Sequence, residues 1–298
     1  MKDNNVKWKG IMRLLRPHQW IKNGVVFLAM IFGGRLLDTE CWINSILAAI
    51  SFCLVSSSVY CLNDVLDSKY DRLDPIKCKR PVASGMVSPA EALISGVIAA
   101  LLSLIVSILT LPWGCTVIIA VYLSLNILYC VALKHVVLVD VMIVAIGFVL
   151  RVVMGGVASQ IWLSQWIVIM VFLLALFLAL AKRRHEVVLV ECSEKQEGRR
   201  SVSGYTVPFL NSALSLLGAV LIIGYIMYTL QPKYGKGPDS EYLYITALPV
   251  LFGILRYLQL TIVENRSGSP TKIAYSDPPL LITGAIWLIT FILIMYLS

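Results

Sequence analysis

The sequence predicts an all-α, polytopic integral membrane protein of about nine transmembrane helices, and three observations carry that prediction. Hydrophobic residues make up 58% of the chain and charged residues only 14%, well below the share of about 25% usual in soluble domains. The apolar residues gather in runs of about 20, the length a helix needs to cross a hydrocarbon core of about 30 Å. The basic residues, finally, collect in alternate connections between those runs.

Taken in order, the candidate spans cover approximately residues 21–37, 41–63, 89–110, 113–132, 136–157, 164–181, 208–230, 242–263 and 280–297. The first is the least regular, because Gly33, Gly34 and Arg35 interrupt it. A basic segment at 1–20 precedes the spans, a polar loop at 64–88 joins the second to the third, and a basic loop at 182–207 follows the sixth. That last loop is the longest polar stretch and is too short for a soluble domain, so the chain reads as one transmembrane domain over 1–298.

Nine crossings sort the cations. Every Lys and Arg falls on one side except Arg35, Lys233 and Lys236, which fall on the other, and Arg151, which lies inside a span. The cation-rich side is expected to be the cytoplasm, with the C-terminus outside and the chain in the inner (plasma) membrane. The net charge of +8 is then a topology signal and an attraction to anionic membrane lipid, with no nucleic acid implied. No cleavable signal pattern is expected, since about 20 polar and basic residues precede the first apolar run and no small-residue cleavage site follows it. The seven cysteines are scattered and never form a CxxC pair, which reads as reduced packing residues. His18, His135 and His185 stand apart among Lys and Arg, so a histidine metal site is not expected.

Function is to be sought between Val59 and Gly85, where carboxylates and then cations cluster at the end of one apolar run and before the next. At 100° per residue, Asn63, Asp64, Asp67, Asp71 and Asp74 fall at about 0°, 100°, 40°, 80° and 20° on a helix, a single acidic face. An arbitrary charge run is usually a solvated loop. Five oxygen side chains on one third of a helix instead suit a hard divalent cation, Mg2+ with a diphosphate, and Lys77, Lys79 and Arg80 follow as cations for phosphate oxygens. Further charges recur in the same set of loops: Lys134 with Asp140 after it, the run AKRRHE at 181–186, Arg256 beside Tyr257, and Asp277 before two prolines. In AKRRHE, Lys182 and Glu186 can pair at i, i+4 while Arg183 and Arg184 point elsewhere. Singly each is a juxtamembrane anchor; together they describe a rim suited to an anionic, metal-bound substrate.

The pattern NDxxDxxxD at Asn63–Asp71, followed by RPxASG at Arg80–Gly85, resembles the first aspartate-rich motif of the UbiA family of intramembrane prenyltransferases. RPHQWIKN at Arg16–Asn23, LKHVVLVDV at Leu133–Val141, GFVLR at Gly147–Arg151, LAKRRHE at Leu180–Glu186 and RYL at Arg256–Leu258 resemble, within that family, the branch of decaprenyl-phosphate phosphoribosyltransferases. The wider family carries a second aspartate-rich motif where this chain has AKRRHE. Exchanging carboxylates for cations suits a donor with a phosphate beyond its diphosphate, such as 5-phosphoribosyl 1-diphosphate.

The resemblance implies a Mg2+-dependent glycosyltransferase that moves a 5-phosphoribosyl group onto a polyprenyl phosphate, a precursor step toward a lipid-linked arabinose donor for cell-envelope polysaccharide. It implies Asn63, Asp67 and Asp71 as metal ligands, with Asp64 and Asp74 as ligands or outer groups. Lys22, Lys77, Arg80, Lys134, Lys182 and Arg183 are the expected phosphate contacts, and Asp140, Glu186, Arg256 and Tyr257 complete the rim. Two other readings of the residues stay open. An aromatic prenyltransferase would use the same fold and first motif but would want the missing second one. An ion-coupled transporter would place its carboxylates near the midplane, not at one membrane face.

Overall fold

The computed structural model describes residues 2–192, 204–231, 238–266, 268, 273 and 276–296, and among them the secondary structure is wholly helical. The helices are α1 (Lys2–Leu14), α2 (Leu28–Phe32), α3 (Thr39–Asp71), α4 (Pro89–Thr110), α5 (Trp113–Val131), α6 (Val139–Ala158), α7 (Gln165–Cys192), α8 (Val207–Leu230), α9 (Ala247–Ile262) and α10 (Pro278–Tyr296). Tight 3-10 segments cover Pro17–Phe27, Lys77–Lys79, Leu133–His135 and Pro238–Thr246. Eight segments of the described residues are long and apolar enough to cross a membrane, starting with Thr39–Asp71 and ending with Pro278–Tyr296. The chain is therefore a multi-pass integral membrane protein.

The first expected span, 21–37, is not a regular helix and is not among those eight. Its first part is the 3-10 segment, α2 is only 5 residues long, and Gly34 then takes φ +74°, a left-handed turn that glycine tolerates best. Arg35 pairs with Asp38, whose carboxylate caps α3 by accepting from the N–H groups of Glu40 (2.9 Å) and Cys41 (3.2 Å). Val26, Ala29 and Met30 of this segment are fully enclosed, while Ile21 and Leu37 are exposed. Irregular backbone survives beside a membrane only under such cover.

The helices group into two compact units, residues 1–134 with 150–163, and residues 135–149 with 164–298. In the first, Phe52, Val55 and Val59 of α3 pack with Ile119 and Tyr122 of α5 and Met154 of α6. Small residues let backbones close up, as expected where lipid supplies no hydrophobic drive between helices. Ser51 and Ser103 exchange hydroxyl-to-carbonyl bonds of 2.8 Å between α3 and α4. Gly155 admits the Val26 carbonyl so closely that any side chain there would displace it. In the second unit, Phe177 and Leu180 of α7 pack with Leu210, Leu214 and Leu221 of α8 and Ile254 and Leu260 of α9.

The length of α3 positions the acidic residues. At 33 residues it runs about 50 Å, so its last third extends beyond a hydrocarbon core of about 30 Å. That overhang carries Asn63, Asp64, Asp67 and Asp71.

Candidate active site

In the first unit the three helical aspartates meet three cations drawn from far along the chain. Asp64 is enclosed and ion-paired with Arg16 (2.9 Å), and its other oxygen accepts from the Val82 N–H (3.3 Å). The Arg16 guanidinium lies over the Tyr60 ring at 5.1 Å, while its backbone adopts the left-handed φ of 51° that turns α1 into the 3-10 segment. Asp64 is thus a clasp joining the N-terminal segment and the 80–85 turn to α3. Trp20 adds to the join by donating to Ser57 Oγ at 3.0 Å, and this fixes the segment bearing the half-buried Lys22.

Asp67 pairs with Lys134, a lysine that is almost wholly buried at the end of α5. Asp71 receives Arg80 Nη1 at 2.5 Å. The side chain of Asp67 is 21% exposed, against 5% for Asp71 and none for Asp64. The most open helical carboxylate is thus the one in the middle of the stripe.

Asp74 does not extend that stripe. The helix ends at Asp71, because Pro75 disfavours helical backbone in the residue before it. Asp74 closes a turn instead, accepting from the N–H groups of Ile76 and Lys77 (both 2.9 Å) and pairing with Lys77 Nζ at 3.3 Å. Its partial burial favours the neutral acid, but those two N–H groups and the Lys77 ammonium outweigh burial and hold its pKa below the usual carboxylate range. Gly85, at φ +77°, then lets the RPVASG turn deliver the chain to α4.

The second unit builds a different cluster. Arg183 places Nε 2.9 Å from Asp140 and Nη1 on Glu186, so the expectation that Arg183 points away from Glu186 is corrected. The arginine fork reaches forward at i, i+3 and also spans to α6, while the more exposed Lys182 stands 4.0 Å from Glu186. Tyr205 donates to Asp140 at 3.1 Å and accepts from the Leu138 N–H at 2.8 Å. Burial pushes the Tyr205 phenol up to about 12, so it remains a donor at neutral pH. Arg184 serves the fold, closing the C-terminal end of α9 by donating to the Thr261 carbonyl (2.6 Å) and to Asn265 (2.8 Å).

Arg256 is bound by Asp277 through Nη2 (2.8 Å) and Nε (3.2 Å), and by Glu264 at 3.1 Å. Tyr257 is a core residue, its ring 5.5 Å from Phe177 and its hydroxyl without a hydrogen-bond partner among the described residues. The structure therefore gathers Asn63, Asp67, Asp71, Lys77, Arg80 and Lys134 in one unit. It gathers Asp140, Lys182, Arg183 and Glu186 in the other, and separates Tyr257 from Arg256 by function. The 193–203 part of the expected basic loop lies outside the described residues.

Sequence reasoning assigns Arg16 and Tyr205 no role. Arg16 stands inside the RPHQWIKN motif, where a cation before proline is the available signal; Tyr205 has none. Arg151, the last residue of the GFVLR motif, is buried with Nε 2.8 Å from Asn23 Oδ1 and its guanidinium about 5 Å from the rings of Phe52 and Tyr122.

The donor set suits Mg2+. Among the described residues no three His, Cys, Asp or Glu side chains converge, so the stripe offers two carboxylates and an amide at four-residue intervals. Few, all-oxygen protein ligands are what Mg2+ takes when it keeps water and binds substrate phosphates for the rest.

Eight segments of the described residues long and apolar enough to cross a membrane, with ion-paired clusters at helix ends, define a multi-pass membrane protein. The chain belongs to the UbiA prenyltransferase family, whose model matches residues 25–267. It is 32% identical to a decaprenyl-phosphate phosphoribosyltransferase of Mycolicibacterium smegmatis over 97% of this chain and 93% of that one. A protein of the same name from Corynebacterium glutamicum is 29% identical over 97% of this chain and 87% of its own. The fold is that of a UbiA homolog from Archaeoglobus fulgidus solved with GPP and Mg2+, with a TM-score of 0.73 at 18% identity over 96% of this chain and 99% of that one. The chain is thus a member of a transferase family.

Proposed function

We propose that this protein is a polyprenyl-phosphate phosphoribosyltransferase, a glycosyltransferase that moves the 5-phosphoribosyl group of 5-phosphoribosyl 1-diphosphate to a polyprenyl phosphate. Diphosphate leaves, and the product is a polyprenyl-phospho-5-phosphoribose, a precursor of a lipid-linked arabinose donor. What carries the reading is the likeness, along nearly the whole chain, to relatives bearing that name. The arginine and lysine of LAKRRHE, where the wider family is acidic, support the same donor.

Asn63, Asp67 and Asp71 hold Mg2+ in this reading. Bound there, the ion supplies screening of the charge that develops on the departing diphosphate. Arg80 and Lys134 stand beside those carboxylates and Lys77 beside Asp74 in the turn that follows, and all three donate to diphosphate oxygens through charge-assisted bonds. Lys22 serves the same phosphates from the 3-10 segment. In the second unit Arg183, oriented by Asp140 and Glu186, presents its planar fork to a phosphate of the donor, with Lys182 beside it as a mobile point charge. The acceptor phosphate is already an anion at neutral pH, so no side chain need remove a proton. The active loops and the N-terminus face the cytoplasm of the inner membrane, and residues 1–298 make up a single transmembrane domain.

The test is incubation of purified protein with Mg2+, 5-phosphoribosyl 1-diphosphate and polyprenyl phosphates of several lengths, with 32P in the lipid. Label is expected to remain in the organic phase, joined to phosphoribose, while unlabelled diphosphate enters water only when both substrates are present. Consumption of a prenyl diphosphate with an aromatic acceptor, independent of the sugar donor, would overturn the proposal.

A further inference from the structure

The N-terminal helix α1 presents two unlike faces. Its inner face places Leu14, with Ile11 and Leu15, in a cluster with Cys61 of α3, Val82, Val87 and Ala92 of α4. Gly10 permits that contact, since a Cβ there would lie 2.7 Å from Val87 Cγ2. The outer face carries Trp8, 67% exposed, and Met12, 49% exposed, one helical turn apart. Beside them run the exposed Lys9 and Arg13, also one turn apart. These four side chains and Met86 line an open groove of about 580 Å³, in which Arg13 Nη1 lies 4.0 Å from Met86 Sδ. A single exposed Trp on a surface needs no explanation. A row of Trp and Met running parallel to a row of Lys and Arg does.

The height of α1 along α3 supplies one. About 20 residues of α3, counted from Cys41, use up the hydrocarbon core, so α3 leaves it near Cys61. Leu14 belongs to the same buried cluster as that residue. Helix α1 therefore lies at the boundary between acyl chains and headgroups, the zone where tryptophan settles and where cations meet lipid phosphate. We infer that the groove of Trp8, Lys9, Met12, Arg13 and Met86 is a headgroup site for an anionic bilayer phospholipid. Trp8, Met12 and Met86 take the glycerol and upper acyl region, and Lys9 and Arg13 take the phosphodiester. Charge complementarity selects this occupant over a zwitterionic lipid or a protein partner. The site needs α1 and Met86 alone and is independent of the proposed reaction.

The experiment uses the full chain in nanodiscs of equal phosphatidylglycerol and phosphatidylcholine, with lipids retained on release counted by native mass spectrometry. Wild type should retain phosphatidylglycerol over phosphatidylcholine by roughly tenfold, two juxtamembrane cations contributing. The double variant Lys9→Gln/Arg13→Gln should bring that ratio close to one with an unchanged melting temperature in detergent, because both side chains are exposed. Wild type at about 0.5 M salt should lose much of the preference without any substitution. Equal retention of the two lipids by wild type would overturn the inference, as would an undiminished preference in the double variant. So would displacement of phosphatidylglycerol by stoichiometric polyprenyl phosphate, which would give the groove to the substrate lipid.

Discussion

The two units handle charge in opposite ways. In residues 1–134 with 150–163, carboxylates form the stripe along one helix, and the cations come to it from distant segments: Arg16, Arg80 and Lys134. In residues 135–149 with 164–298, two arginines are shared hubs, each gripped by a buried aspartate and a more exposed glutamate: Arg183 by Asp140 and Glu186, Arg256 by Asp277 and Glu264. Among the carboxylates of the stripe Asp67 is the most open, and in the second unit's AKRRHE run Lys182 is more open than its partner Glu186. A carboxylate row with partial exposure suits a cation, and a guanidinium held by buried acids suits an anion.

The sharpest way to break that comparison is within the acidic stripe itself. Asp67→Asn or Asp71→Asn is expected to lower turnover by about 100-fold or more at saturating Mg2+, since an amide is a poor replacement for an anionic oxygen ligand. Asp64→Asn should instead act on the fold, costing about 3 kcal/mol by leaving Arg16 without its acid, while folded molecules keep most of their turnover. Melting temperature and initial rates measured on the same preparations separate the two behaviours. Near wild-type turnover in Asp67→Asn would end the metal assignment. Relief of repulsion alone would stabilise that variant, but Asp67 also neutralises the buried Lys134, so a lower melting temperature is expected.

For the second unit, Lys182→Ala/Arg183→Ala is expected to raise KM for 5-phosphoribosyl 1-diphosphate by at least about tenfold, each charge-assisted contact contributing roughly 1.5 to 3 kcal/mol. KM for the polyprenyl phosphate should change far less. An equal rise for both would make the cluster a general electrostatic funnel. Asp140→Asn, which only loosens the fork, should shift the same constant in the same direction by a smaller factor, about three- to tenfold.

The smallest effect concerns pH. The Arg256 guanidinium hydrogen-bonded to Asp277 holds that carboxyl below the usual range, more than offsetting its desolvation. A depressed pKa gives stability that is fully present above the ordinary carboxylate pKa and is lost as pH falls through the lower, folded-state value. Melting temperature in detergent should thus fall below about pH 4, and Asp277→Asn should flatten that part of the profile while lowering the plateau. A profile identical in the two proteins would remove Asp277 from the account.

Most of the fold was legible because a span is a composition signal, and eight of the nine expected spans have a counterpart among the described residues. The exception, 21–37, is broken into a 3-10 segment and a short helix, an irregularity that Gly33, Gly34 and Arg35 signal in the sequence. The stripe of Asn63, Asp67 and Asp71 was legible from helical periodicity, yet the same arithmetic carried Asp74 past a helix end that Pro75 enforces. It also placed Asp64 on the stripe's margin without revealing that this margin is the one turned inward. The pairs Arg16 with Asp64, Lys134 with Asp67 and Arg183 with Asp140 join residues tens of positions apart. Local spacing holds no trace of such pairs, which packing alone decides.

The overhang of α3 has a mechanical consequence. Because the acidic stripe rides on the same unbroken rod that crosses the bilayer, its height above the acyl chains is set by membrane thickness and tilt, at 1.5 Å per residue. A loop-borne site would float free of that ruler. Here a bilayer thicker by about 5 Å draws the rod inward by roughly one helical turn, bringing Asn63 toward the level Val59 held before, unless the helix tilts less to compensate. The carboxylates are thereby indexed to the lipid in which an isoprenoid chain would dissolve, and the thickness of the host membrane becomes a setting of the enzyme.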